Sequence, residues 1–447
     1  MAELYGVVPT YSEELINDIK SNPLTVIKEH LEDVIPEGYV NSYRYNTLKR
    51  MSETNLTTDG YRCVTDEDDL RFYFTLTKCL TENGLKELTK SKAQDIFSML
   101  CLCNHVDPFY EYISSIQWDG KPRVRRWFIN GLGVMIPGLS KEESDRVIEE
   151  ATQAWFVGAV KRSNENACKL EIVPVLVGPQ ACGKTTFVEY TALKMLEPSW
   201  YRSTRCSLDD EKKFFESIMG AKVVEWGEAK ILKNVKAVED LKEFITNDCD
   251  TYRPSYSRHS EIFSRQWVSI MTTNDDTLFC DTTGNRRFIP MVCTDKRAKP
   301  VPPEKRGELI GEAVQVWAEA LAMANSGILP VLPHDVQTIA NEAQKSFVRS
   351  NDFFDAILYE LEDDYPDIGT TLEITRVKDI IKNIKTSFSE MRDRNVSLKD
   401  IERYSEGEWI VERKTIRIGA KTTKRTALIR AKESPRIVSN GDGILGY

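Results

Sequence analysis

Short apolar runs separated by amphipathic stretches fill the middle of the chain, and this alternation sets the expected fold class. Val175-Leu176-Val177 reads as a buried strand, and Thr186 to Leu193 follows it with helical spacing. Ala221 to Val224, Trp267 to Thr272 and Phe288 to Val292 are further strand-like runs, with helical patterns over Val238 to Ile245 and Gly307 to Met323 between or beside them. Strands alternating with helices predict an α/β domain around a mostly parallel sheet. Pro174 has no N–H for a ladder, so it is expected at the start of its strand or just outside.

The flanks read differently. The first hundred residues are predicted to be mostly helical. Thr65 is the expected N-cap of a helix whose first turn holds Asp66 to Asp69, and a second helix is predicted from Lys92 to Cys103. Asp107-Pro108 marks a boundary, because residues before proline leave helical geometry. Trp118-Asp-Gly-Lys-Pro-Arg123 is a turn-forming cluster, and Lys141 to Val160 reads as a helix leading to the first strand. After Asn341 two helical patterns, Asp352 to Leu361 and Val377 to Ile384, precede alternating strands from Trp409. Arg413 to Arg436 carries nine basic residues against Glu433 alone, so helices followed by a basic hairpin suggest a small winged-helix module, with a solvated tail as the plainer alternative. The expected domains are 1–105, 106–341 and 350–447.

Composition narrows the partners. A net charge of −9 over 447 residues confines nucleic-acid contacts to local basic patches. Ten cysteines without paired spacing, and no signal peptide, fit reduced thiols in a cytoplasm. No apolar run is long enough to span a membrane. Cys101-x-Cys103-x-His105 offers too few ligands for zinc and reads as a helix face.

The chemistry concentrates at Gly178-Pro179-Gln180-Ala181-Cys182-Gly183-Lys184-Thr185-Thr186, which fits G-x-x-x-x-G-K-[ST] throughout. Strand, glycine loop and helix in that order let backbone N–H groups and the helix dipole wrap phosphates. Lys184 would reach the outer phosphates of ATP, and the Thr185 hydroxyl would ligate Mg²⁺. Glu225 and Glu228 leave the C-terminal end of a neighbouring strand, where ligands of parallel sheets bind; Glu225 is assigned to the metal and Glu228 to the attacking water, with the exchange left open. Asn274 at the next strand tip would sense the γ-phosphate. Arg286 and Arg287 could stabilise transition-state charge, in cis or from a neighbouring subunit. Tyr252, Arg253, Tyr256 and Arg258 interleave aromatics with cations, a pattern suited to tracking a nucleic-acid backbone and stacking on its bases, with a packed hairpin as the plainer alternative.

These segments occur in the order seen in the virulence-associated protein E family, which the chain resembles from about Asp107 to Trp317, with Trp118 to Arg123 similar to an upstream signature. Such proteins are encoded by phages and pathogenicity islands and are similar to superfamily-3 helicases, which are AAA+ ring motors. The resemblance implies a P-loop AAA+ core that binds ATP and Mg²⁺, a homo-oligomeric ring with the hexamer as the expected form, and DNA held by a central hairpin over Tyr252 to His259. It makes Asn274 the sensor and one of Arg286 and Arg287 the arginine finger. The expected function is an ATP-dependent DNA helicase that initiates replication of a phage or mobile element in a bacterial cytoplasm. A nucleotide-gated DNA-binding regulator and a primase–helicase are the alternatives, although the N-terminal hundred residues carry no convincing primase motif.

Overall fold

The computed structural model describes residues 7–58, 60–164, 168–204, 211–227, 235–253, 260–274, 285–293, 306–344, 347, 352–386, 396–405, 408–418 and 421–431. The chain divides after Phe347 into two compact units.

The first unit begins with helices, as the sequence predicts, but also holds a small sheet. β1 (Tyr43–Asn46), β2 (Met51–Thr54), β3 (Arg62–Cys63) and β4 (His105–Val106) pair in the order β3-β2-β1-β4. The N-terminal region is therefore helices around a small sheet, whose strands are too short to show an alternating period in the sequence. Helices Asp66–Glu82 and Lys90–Cys103 share a core with the sheet, where Tyr43 meets Phe72 and Phe97 edge-on at 6.5 and 4.8 Å. The acidic run before Leu70 is explained by capping. The Thr65 N–H donates to Asp68 at 2.8 Å, and Arg62 donates to both oxygens of Asp68 at 2.7 and 2.8 Å. Burial alone would raise the Asp68 pKa, but Arg62 and Thr65 outweigh it and lower the carboxyl to about 2. Among the described residues no group of three or more His, Cys, Asp or Glu is placed to hold a metal ion; Cys101 and Cys103 end helix Lys90–Cys103, and His105 begins β4.

The central sheet has six strands in the order β5-β12-β6-β11-β8-β7. They are β5 (Val134–Met135), β6 (Val173–Val177), β7 (Tyr201–Thr204), β8 (Val223–Gly227), β11 (Val268–Thr273) and β12 (Phe288–Cys293); β9 (Cys249–Tyr252) and β10 (Glu261–Ser264) form a separate hairpin. Every pairing in the six-stranded sheet is parallel except that of β5 with β12. All residues of β6 and β11 are buried, as expected for central strands covered on both faces. Pro174 lies inside β6, not at its start. The ladder to β11 begins only at Val175, so Pro174 stands beyond the end of one of its two ladders, where a missing N–H is tolerated.

The Trp118–Arg123 cluster acts as scaffold. The Arg123 and Val124 N–H groups donate to buried Glu319 at 2.5 and 2.9 Å, and Arg123 also pairs with Asp119 and Glu312. Glu319 belongs to helix Arg306–Asn325, whose Trp317 Nε1 donates to the Thr191 carbonyl at 2.7 Å. The cluster thus pins a helix that braces the far end of the glycine-loop helix.

The second unit contains helices Asp352–Asp364, Ile374–Lys385 and Leu398–Tyr404 with β13 (Thr371–Glu373), β14 (Trp409–Ile418) and β15 (Lys421–Arg430). The antiparallel sheet runs β13-β15-β14. Ile357, Leu358, Leu361, Val377, Ile401, Trp409 and Leu428 form its own apolar core. Among the described residues of the chain, no helix is long and apolar enough to cross a membrane.

Candidate nucleotide site

The site is built at the C-terminal end of β6, where the chain turns sharply into helix Lys184–Thr191. Two backbone features make that turn. Ala181 and Gly183 have φ of 65° and 92°, and Gly183 caps the helix. At Gly178 the loop passes so close to β12 that an added Cβ would lie 2.9 Å from Cys293 Cβ and 3.4 Å from Cys182 Sγ. Only glycine fits there. The first-turn amides of the helix have no intrahelical acceptors, and the positive end of the helix dipole adds to them. Such a loop suits phosphate oxygens.

Lys184 Nζ donates to the carbonyls of Gly178 and Pro179 at 2.7 and 2.8 Å and to Cys182 Sγ at 3.4 Å. Its ammonium is thus folded back over the loop it would share with phosphate. The buried Cys293 thiol lies against the same loop, and burial, with a smaller contribution from Cys182, pushes its pKa up to about 12.

Parallel register brings the other residues to this edge. Val177 pairs with Thr273, and the Gly178 N–H donates to the Thr273 carbonyl at 3.1 Å, so Asn274 follows directly beside the loop. Asn274 itself is exposed. One strand further, β8 carries Glu225 opposite Ile270. Glu225 is only 1% exposed, and its Oε1 accepts from Thr185 Oγ1 at 2.8 Å and from Thr272 Oγ1 at 2.6 Å. Tyr201 OH, from edge strand β7, donates to Oε2. Burial, reinforced by the Glu225 carboxylate, raises the Tyr201 pKa, so the phenol stays a donor. Thr272 and Tyr201 were not marked by any local sequence pattern. Glu228 lies outside the described residues.

Arg286 and Arg287 are placed elsewhere. They occupy the turn before β12, whose Phe288 pairs with Val173 at the start of β6. They therefore stand at the opposite end of the strands from the loop, about 13 Å or more away along the strand. The two side chains differ. Arg287 Nε donates to Thr246 Oγ1 at 3.0 Å and its Nη2 lies 3.4 Å from Glu171, with the side chain 16% exposed. Arg286 lies 3.5 Å from Glu171 and its side chain is 56% exposed.

The hairpin β9–β10 corrects one DNA-contact expectation. Tyr252 is buried: its ring stacks on Phe215 at 5.0 Å, and its hydroxyl accepts from Arg50 Nη1 at 2.6 Å. A ring held this way at the hairpin base has no face left for a nucleic-acid base. Asp250 secures the same base by accepting from Arg265 Nε at 2.8 Å and Trp267 Nε1 at 3.1 Å. Arg253 is the exposed residue that follows; Tyr256 and Arg258 lie outside the described residues.

The model of the virulence-associated protein E-like domain matches residues 113–349. The chain belongs to the virulence-associated protein E-like family. The matched stretch contains the Trp118 cluster, the glycine loop, Glu225, Asn274 and the arginine pair. Among solved structures, the apo C-terminal region of NrS-1 is similar at 12% identity and a TM-score of 0.47, covering 92% of this chain and 99% of that one. Its A form gives 12% identity and a TM-score of 0.45, covering 92% and 100%. Superpositions this loose place no residue. No curated protein matches the chain.

Proposed function

We propose that this protein is an ATP-dependent, Mg²⁺-requiring DNA helicase that initiates replication of a phage or mobile element, built on a P-loop AAA+ core. The observation that carries the reading is the hydrogen bond between Thr185 and Glu225, 40 residues apart, which joins the glycine loop to a buried acid at the same sheet edge. The donor set fits a hydrated divalent cation. The Thr185 proton is committed to Glu225, which leaves the hydroxyl lone pairs facing outward, and the carboxylate stands where a metal-bound water would be held. Mg²⁺, held there by Thr185 and through water by Glu225, would offset the negative charge that develops on the phosphates. Lys184 would exchange its two loop carbonyls for phosphate oxygens, Asn274 would contact the outermost phosphate, and Glu228 would orient water.

In this reading the subunits form a ring, a hexamer in the family pattern, with DNA as the partner. The position of Arg286 supports it: the residue stands at the other end of the strands from the loop of its own chain, and its side chain is 56% exposed, as an arginine acting on a neighbouring subunit's nucleotide would need. Arg287, tied to Thr246 and Glu171, would hold the turn. Mixing inactive Lys184→Ala and Arg286→Ala chains should then restore ATPase to about a quarter of the wild-type rate at equal ratio, because about one interface in four has both parts intact. Absence of recovery, with subunit exchange verified, would exclude an arginine acting in trans.

The second unit supports a winged-helix module. Its order is helix, strand, two helices, then a long hairpin, and the part of the basic run from Arg413 to Arg430 falls within that hairpin's span. This module would dock on duplex at an origin while Arg253 and its neighbours track a single strand.

A further inference from the structure

Glu225 is a buried carboxyl group whose partners come from three different elements. Among the described residues it forms no ion pair; hydroxyls meet it instead, Thr185 and Thr272 on Oε1 and Tyr201 on Oε2. The two oxygens are therefore not equivalent. Oε1 is shared with the loop residue that would ligate the cation, whereas Oε2 is held from the other side by a residue outside the loop. Tyr201 is itself fixed. It is 5% exposed, pairs in register with Val223 on β8, and has Lys194 Nζ 4.8 Å from its ring centre. Lys194 is anchored in turn by Glu189 on the glycine-loop helix. The phenol thus reaches the carboxylate from a strand whose position is set by the sheet, while its ring is tied to the helix that carries Lys184 and Thr185.

We propose that Tyr201 is a positioning residue for the Mg²⁺ site: it holds Glu225 Oε2 so that Oε1 stays turned to Thr185 and the cation. The proposal rests on the reading of Glu225 as the metal-holding acid. Without the phenol the carboxylate can rotate about its terminal bond, whose torsion is soft, and Oε1 loses its fixed bearing on Thr185. Nucleotide contacts made by the backbone loop and Lys184 do not depend on that rotation. The effect should fall on the part of nucleotide affinity that Mg²⁺ supplies.

The test is titration of the full chain with a fluorescent ATP analogue, with Mg²⁺ and in its absence with chelator. Tyr201→Phe keeps the ring and removes only the hydroxyl. It should bind the metal-free analogue as wild type does, while the gain in affinity on adding Mg²⁺ shrinks by about tenfold, the scale of one hydrogen bond to a charged group. Thr272→Val, which removes a donor from Oε1, should shrink the gain in the same direction. In a Glu225→Gln background, adding Tyr201→Phe should change the Mg²⁺ gain no further. An undiminished Mg²⁺ gain in Tyr201→Phe would overturn the proposal and leave the reading of Glu225 standing. Equal weakening with and without Mg²⁺ would mark the hydroxyl as merely structural and overturn it too. If the wild-type chain shows no Mg²⁺ gain at all, the underlying reading of the site fails, and the proposal with it.

Discussion

Lys184→Ala is expected to abolish ATP hydrolysis, with a loss on the order of a thousandfold or more, comparable to or beyond removal of a transition-state donor. The ammonium is the strongest local charge available to the outer phosphates, and alanine supplies nothing in its place. The fold should survive. The hydrogen bonds of Nζ go to Gly178, Pro179 and Cys182 within its own loop, so the sheet and the Trp317 brace do not depend on it. Phosphate release measured beside a thermal melt separates the two effects. Turnover near the wild-type rate in a folded variant would remove the basis of the nucleotide reading.

Ending the chain after Phe347 should remove the second unit while leaving ATP hydrolysis in place. The first unit contains the loop, Glu225, Asn274 and both arginines, and the two units are compact by themselves. Duplex affinity at physiological salt should fall by about a hundredfold or more, and the salt dependence of the remaining binding should flatten, because the nine basic residues of Arg413 to Arg436 are gone. The checks are duplex binding across a salt series and phosphate release on the same truncated chain. Duplex binding as tight as that of the full chain would make the basic segment a solvated tail.

The glycine loop was legible because its residues are contiguous: nine neighbours carry the turn, the Lys184 side chain and the Thr185 hydroxyl, and the strand before them is a plain apolar run. The parallel core was legible for the same reason, since strands buried on both faces read as unbroken apolar stretches. What escaped was what only register creates. Tyr201 and Thr272 converge on Glu225 from two flanking strands, and nothing near either residue in the sequence marks it. The β1–β4 sheet escaped because strands of two to four residues have no measurable period. Tyr252 was misplaced because aromatic residues among arginines look alike whether they face DNA or, as here, pack on Phe215 beneath Arg50. The arginine pair was recognisable, but its distance from the loop depends on the end of the sheet at which β12 begins, and that follows from the pairing of Phe288 with Val173.

Strand displacement on a forked DNA duplex, with ATP and Mg²⁺, with either omitted, and with Lys184→Ala as control, tests the central claim most directly. The account predicts unwinding only when both ATP and Mg²⁺ are present and none by the variant. Hydrolysis of ATP without any displacement of the strand, across forks of both polarities, would contradict the helicase reading and leave a nucleotide-gated DNA-binding protein.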